Sequence, residues 1–137
     1  MLWRCYPFAQ ITLQGEFCMI NIIAVFLGGG TGALLRWLAC SKIPAHWGTL
    51  TVNIAGAFLI GILYQYIYLH AGFKQELKLL LMTGVLGGFT TFSTYLLDFV
   101  TLINKGHLYE AGFYLITSII TGVIFLIIGI KLVNWIN

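Results

Sequence analysis

Charge is nearly missing from this chain. Four acidic and seven basic side chains are spread over 137 residues, 8% in all, against about 25% in a soluble domain. Too few charges remain to clothe a water-facing surface. Apolar residues fill the gap, making up 60% of the chain, and the mean hydropathy is +0.96. No soluble core of this length could hide so much apolar surface, so lipid is the expected solvent for most of it. Four helices of about 20 residues each would use most of the chain. Short loops are left over, with no room for a soluble catalytic domain.

Other scarcities narrow the function further. Cys5, Cys18 and Cys40 show no CxxC or Cys/His spacing and read as isolated reduced thiols. The net charge of +3 is scattered among loops, forms no basic patch and points away from nucleic acid. His46, His70 and His107 fall in loops or at helix ends, which argues against a membrane metal site. No serine sits in a nucleophile elbow and no carboxylates pair at helical spacing, so no enzyme is expected. Asp98 is the only acid within an apolar span, with Glu110 near an interface. A small proton-coupled exporter would normally carry an ionisable group deep in its first or second helix, and none is present there.

Along the chain, the first 18 residues are the least membrane-like, interrupted by Arg4, Pro7, Gln10, Gln14 and Glu16. They make a poor signal peptide, lacking a clean apolar run and an Ala-x-Ala site. They read as an N-terminal extension ahead of a true start at Met19. Gln14-Gly15-Glu16 can be encoded as CAAGGAGAA, a purine-rich ribosome-binding sequence a short spacer before that methionine. Residues 19–137 then form a single membrane domain.

Helix 1 is expected from about Ile20 to Leu38. Its Gly28, Gly29, Gly30 and Gly32, with Ala33, would let another helix backbone approach closely. A nucleotide-binding glycine loop is the rival reading, but no strand precedes it and no GK[ST] or GxGxxG follows. Helix 2 is expected from about Thr49 to Leu69, with Asn53, Gly56 and Gly61. Helix 3 would run from Gln75 to about Ile103, too long for one straight span. Gly84, Gly87, Gly88 and the hydroxyl-rich run after them should break it near its middle. Helix 4 is expected from about Tyr109 to Lys131, with Trp135 at the interface.

Topology carries little charge bias. Lys74, Lys78 and Lys131 fall on one side, and Arg36, Lys42 and Lys105 on the other. A chain so balanced could insert both ways up, and oppositely oriented copies could pair. The other reading is a fixed topology set by the folding of helix pairs or by position-weighted charge.

The apolar spans hold neutral donors, ring edges and freed backbone. Asn53 offers an amide NH2, with Thr49 one turn before it. Tyr114, Ser118 and Gly122 form one helical stripe. Packing is the ordinary role for such residues: a helix–helix hydrogen bond for Asn53 and a bond to its own helix for Ser118. The expected break in helix 3 is harder to dismiss. Hydrocarbon cannot satisfy freed backbone, so such segments survive only against protein, water or ions, and freed carbonyls can coordinate a cation. Phe92 and Tyr95 follow at a spacing of three, and ring edges carry partial positive charge that favours an anion.

At these motifs the sequence resembles the CrcB/Fluc fluoride-channel family, from Met19 nearly to the end. The matching stretches are Gly-Gly-Gly-Thr-Gly-Ala-Leu-Leu-Arg-Trp (28–37), Gly48-Thr49-Leu50-Thr51-Val52-Asn53 with Gly56, Phe58 and Gly61, and Gly87-Gly88-Phe89-Thr90-Thr91-Phe92-Ser93-Thr94-Tyr95. The resemblance implies an antiparallel, dual-topology homodimer in the bacterial cell membrane, with two fluoride pores and a structural sodium ion at its centre. Backbone carbonyls of Gly87 and Thr90 from both subunits would hold the sodium. Asn53, Phe92, Tyr95, Tyr114 and Ser118, and more weakly Thr49, would line the pores, with Arg36 at a vestibule. Two positions depart from the family, Tyr95 where phenylalanine is common and Leu96 where serine is, while Asp98 stands where an acidic residue, usually glutamate, is common. The implied activity is passive fluoride export. Its rivals are a dual-topology proton-coupled exporter of toxicants and a noncatalytic membrane assembly subunit.

Overall fold

A computed structural model describes residues 19–43, 46–70 and 72–137. The expectation that residues 1–18 precede the true start lies outside the described residues. Within them all the regular structure is helical. α1 spans Met19–Lys42 and α2 His46–Leu69. Then come a short α3 (Gln75–Lys78), a π-helical stretch at Leu79–Leu86 and a three-residue α4 (Gly87–Phe89). α5 (Phe92–Asn104) and α6 (Leu108–Ile136) complete the chain. Among the described residues four stretches are long and apolar enough to cross a membrane: α1, α2, Gln75–Asn104 and α6.

Helix bounds differ from the hydropathy reading mainly at the ends. α1 continues past Leu38 to Lys42, α2 begins at His46 instead of Thr49, and α6 runs on to Ile136. Polar residues at these ends end the apolar run without ending the helix, because a helix terminus can meet water at the bilayer surface. Of the segment expected to interrupt the third span, Gly84, Gly87 and Gly88 are helical, and the non-helical residues fall in the hydroxyl-rich run after them. Gly84 lies inside the π stretch and Gly87 is helical, with φ −64° and ψ −36°. The non-helical residues are the next pair, Thr90 and Thr91, at φ/ψ of −83°/156° and −151°/122°.

What these glycines do is allow contact. A Cβ on Gly84 would lie 2.8 Å from the Gly28 Cα, and one on Gly88 would lie 3.1 Å from the Gly29 Cα. On α1, a Cβ at Gly32 would overlap the Val85 carbonyl. α1 and the first half of the third span therefore meet backbone to backbone, which in lipid supplies packing where no hydrophobic force is available. α2 and α6 form a second close pair. There a Cβ on Gly61 would overlap the Leu126 carbonyl, and one on Gly129 the Phe58 carbonyl. Gln65 Nε2 donates to Asn134 Oδ1 at 2.7 Å farther along the same pair.

α5 packs on the α2–α6 pair around a small core of Leu50, Tyr95, Leu102, Ala111 and Tyr114. Phe26, Leu34, Val100, Ile116, Ile120 and Val123 point outward instead. That distribution suits a hydrocarbon environment. Replacing Gly32 by valine should push α1 off the third span and lower the thermal midpoint of purified protein, at a cost of about 1–3 kcal/mol or more. Gly112→Ala is the control, since a Cβ at Gly112 meets nothing within 4 Å, and should leave the midpoint unchanged.

Candidate functional site

The extended pair Thr90–Thr91 needs partners for its backbone, and Asn53 on α2 provides them. Asn53 Nδ2 donates to the Thr91 carbonyl at 2.9 Å, and the Thr91 N–H donates to Asn53 Oδ1 at 2.8 Å. Thr91 is also the N-cap of α5, its Oγ1 accepting from the Thr94 N–H at 3.3 Å. Gly56, one turn beyond Asn53 on α2, leaves room for the Thr90 side chain: a Cβ there would overlap Thr90 Cγ2. Thr90 Oγ1 turns back to the Leu86 carbonyl at 2.9 Å.

These bonds release two carbonyls. In a continuous helix the Gly87 carbonyl would accept from the Thr91 N–H, and that of Thr90 from the Thr94 N–H. Both donors are engaged elsewhere, on Asn53 Oδ1 and Thr91 Oγ1. Gly87 is exposed. Among the described residues no group of three or more His, Cys, Asp or Glu is placed to hold a metal. Neutral backbone oxygens, those of Gly87 and Thr90, are thus the chemistry this segment can offer to a hard cation.

A second polar group lies farther along α5. Thr49 Oγ1 donates to Asp98 Oδ2 at 2.6 Å, and the Tyr114 hydroxyl approaches the same oxygen at 3.4 Å. Thr49 and Tyr114 are 4% and 1% exposed, so their protons have no water to turn to. The two hydroxyls together hold one carboxylate oxygen inside the bundle. Ser118 behaves differently, donating to the carbonyl of Tyr114 on its own helix at 2.7 Å.

Rings link the two polar groups. Phe92 and Tyr95 have centroids 5.8 Å apart, and Tyr95 and Tyr114 are 5.2 Å apart. Tyr95 is buried, whereas Phe92 is 71% exposed and shares its surface with Ser93 and Thr94. The Tyr95 hydroxyl donates to the Leu115 carbonyl at 3.1 Å, so the extra oxygen ties α5 to α6. Asn53, Tyr95, Tyr114 and Thr49 are thus gathered along one side of α5, with Ser118 a turn beyond Tyr114. Arg36, partly exposed on α1, has no hydrogen bond or ion pair to them among the described residues.

Two participants are absent from the residues singled out as candidates by sequence. Asp98 is the acceptor that organises Thr49 and Tyr114; being the only acid in an apolar span was the available signal. His46 packs edge-on against Tyr114, with centroids 4.9 Å apart at 70°. Its position three residues before Thr49, on the same helix face, was the available signal.

Comparison with known proteins bears on this arrangement. Residues 23–130 match the family model described as CrcB-like protein, Camphor Resistance (CrcB). The chain belongs to the CrcB family. A CrcB relative from Agrobacterium fabrum, named fluoride-specific ion channel FluC, is 41% identical over 122 residues, covering 83% of this chain and 96% of its own. Another of that name from a Hydrogenobaculum species is 40% identical over 115 residues, covering 80% and 94%. A third, FluC 1 of Carboxydothermus hydrogenoformans, is 40% identical over 125 residues, covering 85% and 96%. These CrcB relatives are named as ion channels and not as enzymes. With its four spanning helices, the chain is a multi-pass membrane protein of the same family.

Replacing Asn53 with leucine would strand a donor and an acceptor of Thr91 away from water. We expect a loss of about 1–3 kcal/mol, read as a lower thermal midpoint, while Thr51→Val, whose hydroxyl only bonds its own helix at Trp47, should change it little.

Proposed function

We propose that this protein is a fluoride channel: two oppositely oriented copies form a homodimer that lets fluoride leave the cell passively. The observation that carries this reading is the row of neutral donors along α5, in a chain whose relatives are named fluoride-specific channels. Moving a bare small anion into low dielectric costs tens of kcal/mol on an idealised Born estimate. A path must therefore replace several waters at once and still release the ion at each step.

The donors here suit both demands. Asn53 uses one N–H on Thr91 and has a second. The hydroxyls of Thr49, Tyr95, Tyr114 and Ser118 already donate to oxygen acceptors of the protein. Fluoride binds them by exchanging one acceptor for another, so no proton is ever left unpaired in the bundle. The net gain at each station is small, and a small gain favours conduction. The Phe92 ring offers its electropositive edge without a compact charge that would trap the ion. A narrow lining excludes chloride by size, and Arg36 raises the anion concentration near the mouth.

The exposed face of Phe92, Ser93 and Thr94 beside Gly87 is where the partner copy packs. At that contact the Gly87 and Thr90 carbonyls of both copies supply four neutral oxygens to a structural sodium ion. Bound there, the ion supplies fixed positive charge that holds the freed carbonyls together. The backbone geometry supports the donor half: both carbonyls have lost their helix partners.

Purified protein in liposomes should pass fluoride and not chloride, with no proton gradient imposed. Phe92→Ile should lower the flux by roughly tenfold or more, equivalent to losing about 1.4 kcal/mol at the limiting step. Absence of flux would point to an assembly subunit, and flux that needs a proton gradient to an exporter. Replacing sodium by a bulky organic cation should lower the thermal midpoint of the dimer and shift it toward monomer in size-exclusion chromatography.

A further inference from the structure

α2 and α6 begin at the same end of the bundle, and their first turns meet. His46 opens α2, His107 is the N-cap of α6, and Glu110 lies in the first turn of α6. Glu110 stands between the two imidazoles. One of its oxygens is 3.5 Å from His46 Nε2, and the other is 2.9 Å from His107 Nδ1.

The two histidines differ in setting. His107 is open to solvent, with 56% of its side chain exposed. The His46 side chain is 7% exposed, and its Nε2 is buried without a hydrogen-bond partner. The 3.5 Å approach to Glu110 is an ion-pair separation without the alignment of a hydrogen bond. A buried ring nitrogen left in this way is costly and poised to respond to a charge beside it. His46 also touches the Tyr114 ring and lies one turn from Thr49. The cluster is therefore continuous with the pair of hydroxyls that holds Asp98. His46, His107 and Glu110 all lie outside the motifs that carry the family resemblance.

Histidine is the side chain whose charge ordinarily changes between about pH 5 and 8. With both imidazoles neutral, the cluster presents the single negative charge of Glu110, with Asp98 adding another just beyond Tyr114. With both protonated, two positive charges are added, enough to balance Glu110 and Asp98 together. Tyr114 and Thr49 are uncharged neighbours, and Lys42 at the end of α1 and Lys105 just before His107 keep the same positive charge in both states, so none of them alters the change. The N-termini of α2 and α6 add fixed partial positive charge at the same end. An anion arriving there is drawn in more strongly in the second state than in the first, and the difference is little screened at His46, which is out of water.

We propose that His46, Glu110 and His107 form a proton-operated electrostatic gate at one mouth of the anion path, admitting fluoride more readily when both imidazoles are charged. This inference rests on the channel reading above. Its sign is definite: flux rises as pH falls through the histidine range.

The test is fluoride flux through wild-type protein in liposomes between about pH 5 and 8, with protein-free vesicles subtracting the leak of undissociated hydrogen fluoride. We expect a rise of roughly tenfold toward the acid end, the low end of electrostatic steering effects. The double variant His46→Gln, His107→Gln should conduct with a flat pH profile, and Glu110→Gln should raise the flux at the alkaline end. His46 is buried, so His107→Gln alone provides a variant at an exposed position that need not disturb folding; it should lose part of the slope. Flux that is present but flat in the wild type, or a slope unchanged in His107→Gln, overturns the gate alone. Wild-type protein that passes no fluoride at any pH overturns the channel reading, and the gate with it.

Discussion

A primary carboxamide carries a donor and an acceptor side by side, and Thr91 presents the complementary pair from its own backbone. The two hydrogen bonds between Asn53 and Thr91 are the interaction on which the rest of the site depends. In water an extended residue within a helical span would be solvated at little cost. In hydrocarbon nothing else is present to accept or donate. With Asn53 engaged, the chain leaves helical geometry for two residues and re-enters it at Phe92 under the Thr91 cap. The direction of α5 is set there, and with it the faces on which Phe92, Tyr95 and Asp98 appear. The same bonds withhold the Thr91 N–H from Gly87, leaving that carbonyl available.

The glycines make this geometry reachable. Gly56 admits the Thr90 methyl beside Asn53, and the Gly28–Gly84 approach holds the first half of the third span against α1. With α1 on one side and the α2–α6 pair on the other, the extended residues have little freedom to rejoin the helix. Rigidity here suits the conduction proposed above. Donors meant to replace water must already be in place when the ion arrives, since reorganising them would add to the barrier.

The candidate site was only partly readable in advance. Asn53, Phe92, Tyr95 and Tyr114 stand out because polar or aromatic residues at helical spacing are conspicuous in an apolar chain. Asp98 was noticed as an isolated acid but not joined to Thr49 and Tyr114, since the three come from α2, α5 and α6. His46 looked like a loop residue; the apolar run starts later, yet the helix begins at His46 itself and the ring is buried. The glycines of the third span suggest a break in the helix, and in the fold they supply closeness. The π stretch at Leu79–Leu86 has no visible signature, because an extra residue in a turn leaves a sequence with Thr83 as its one polar side chain without a readable period.

Composition and hydropathy by themselves determined that lipid is the solvent, that four helices cross it, and roughly where each begins and ends. Those properties are sums over neighbouring residues, and local sequence contains every term. Motif order likewise sufficed for the family. The tertiary structure alone decided which acceptor each donor takes: Thr91 for Asn53, Asp98 for Thr49, Leu115 for Tyr95 and its own helix for Ser118. Three of those partners lie 20 to 49 residues away in the chain. A hydrogen bond reaches only about 3 Å, so the choice among them waits until packing has brought the helices together.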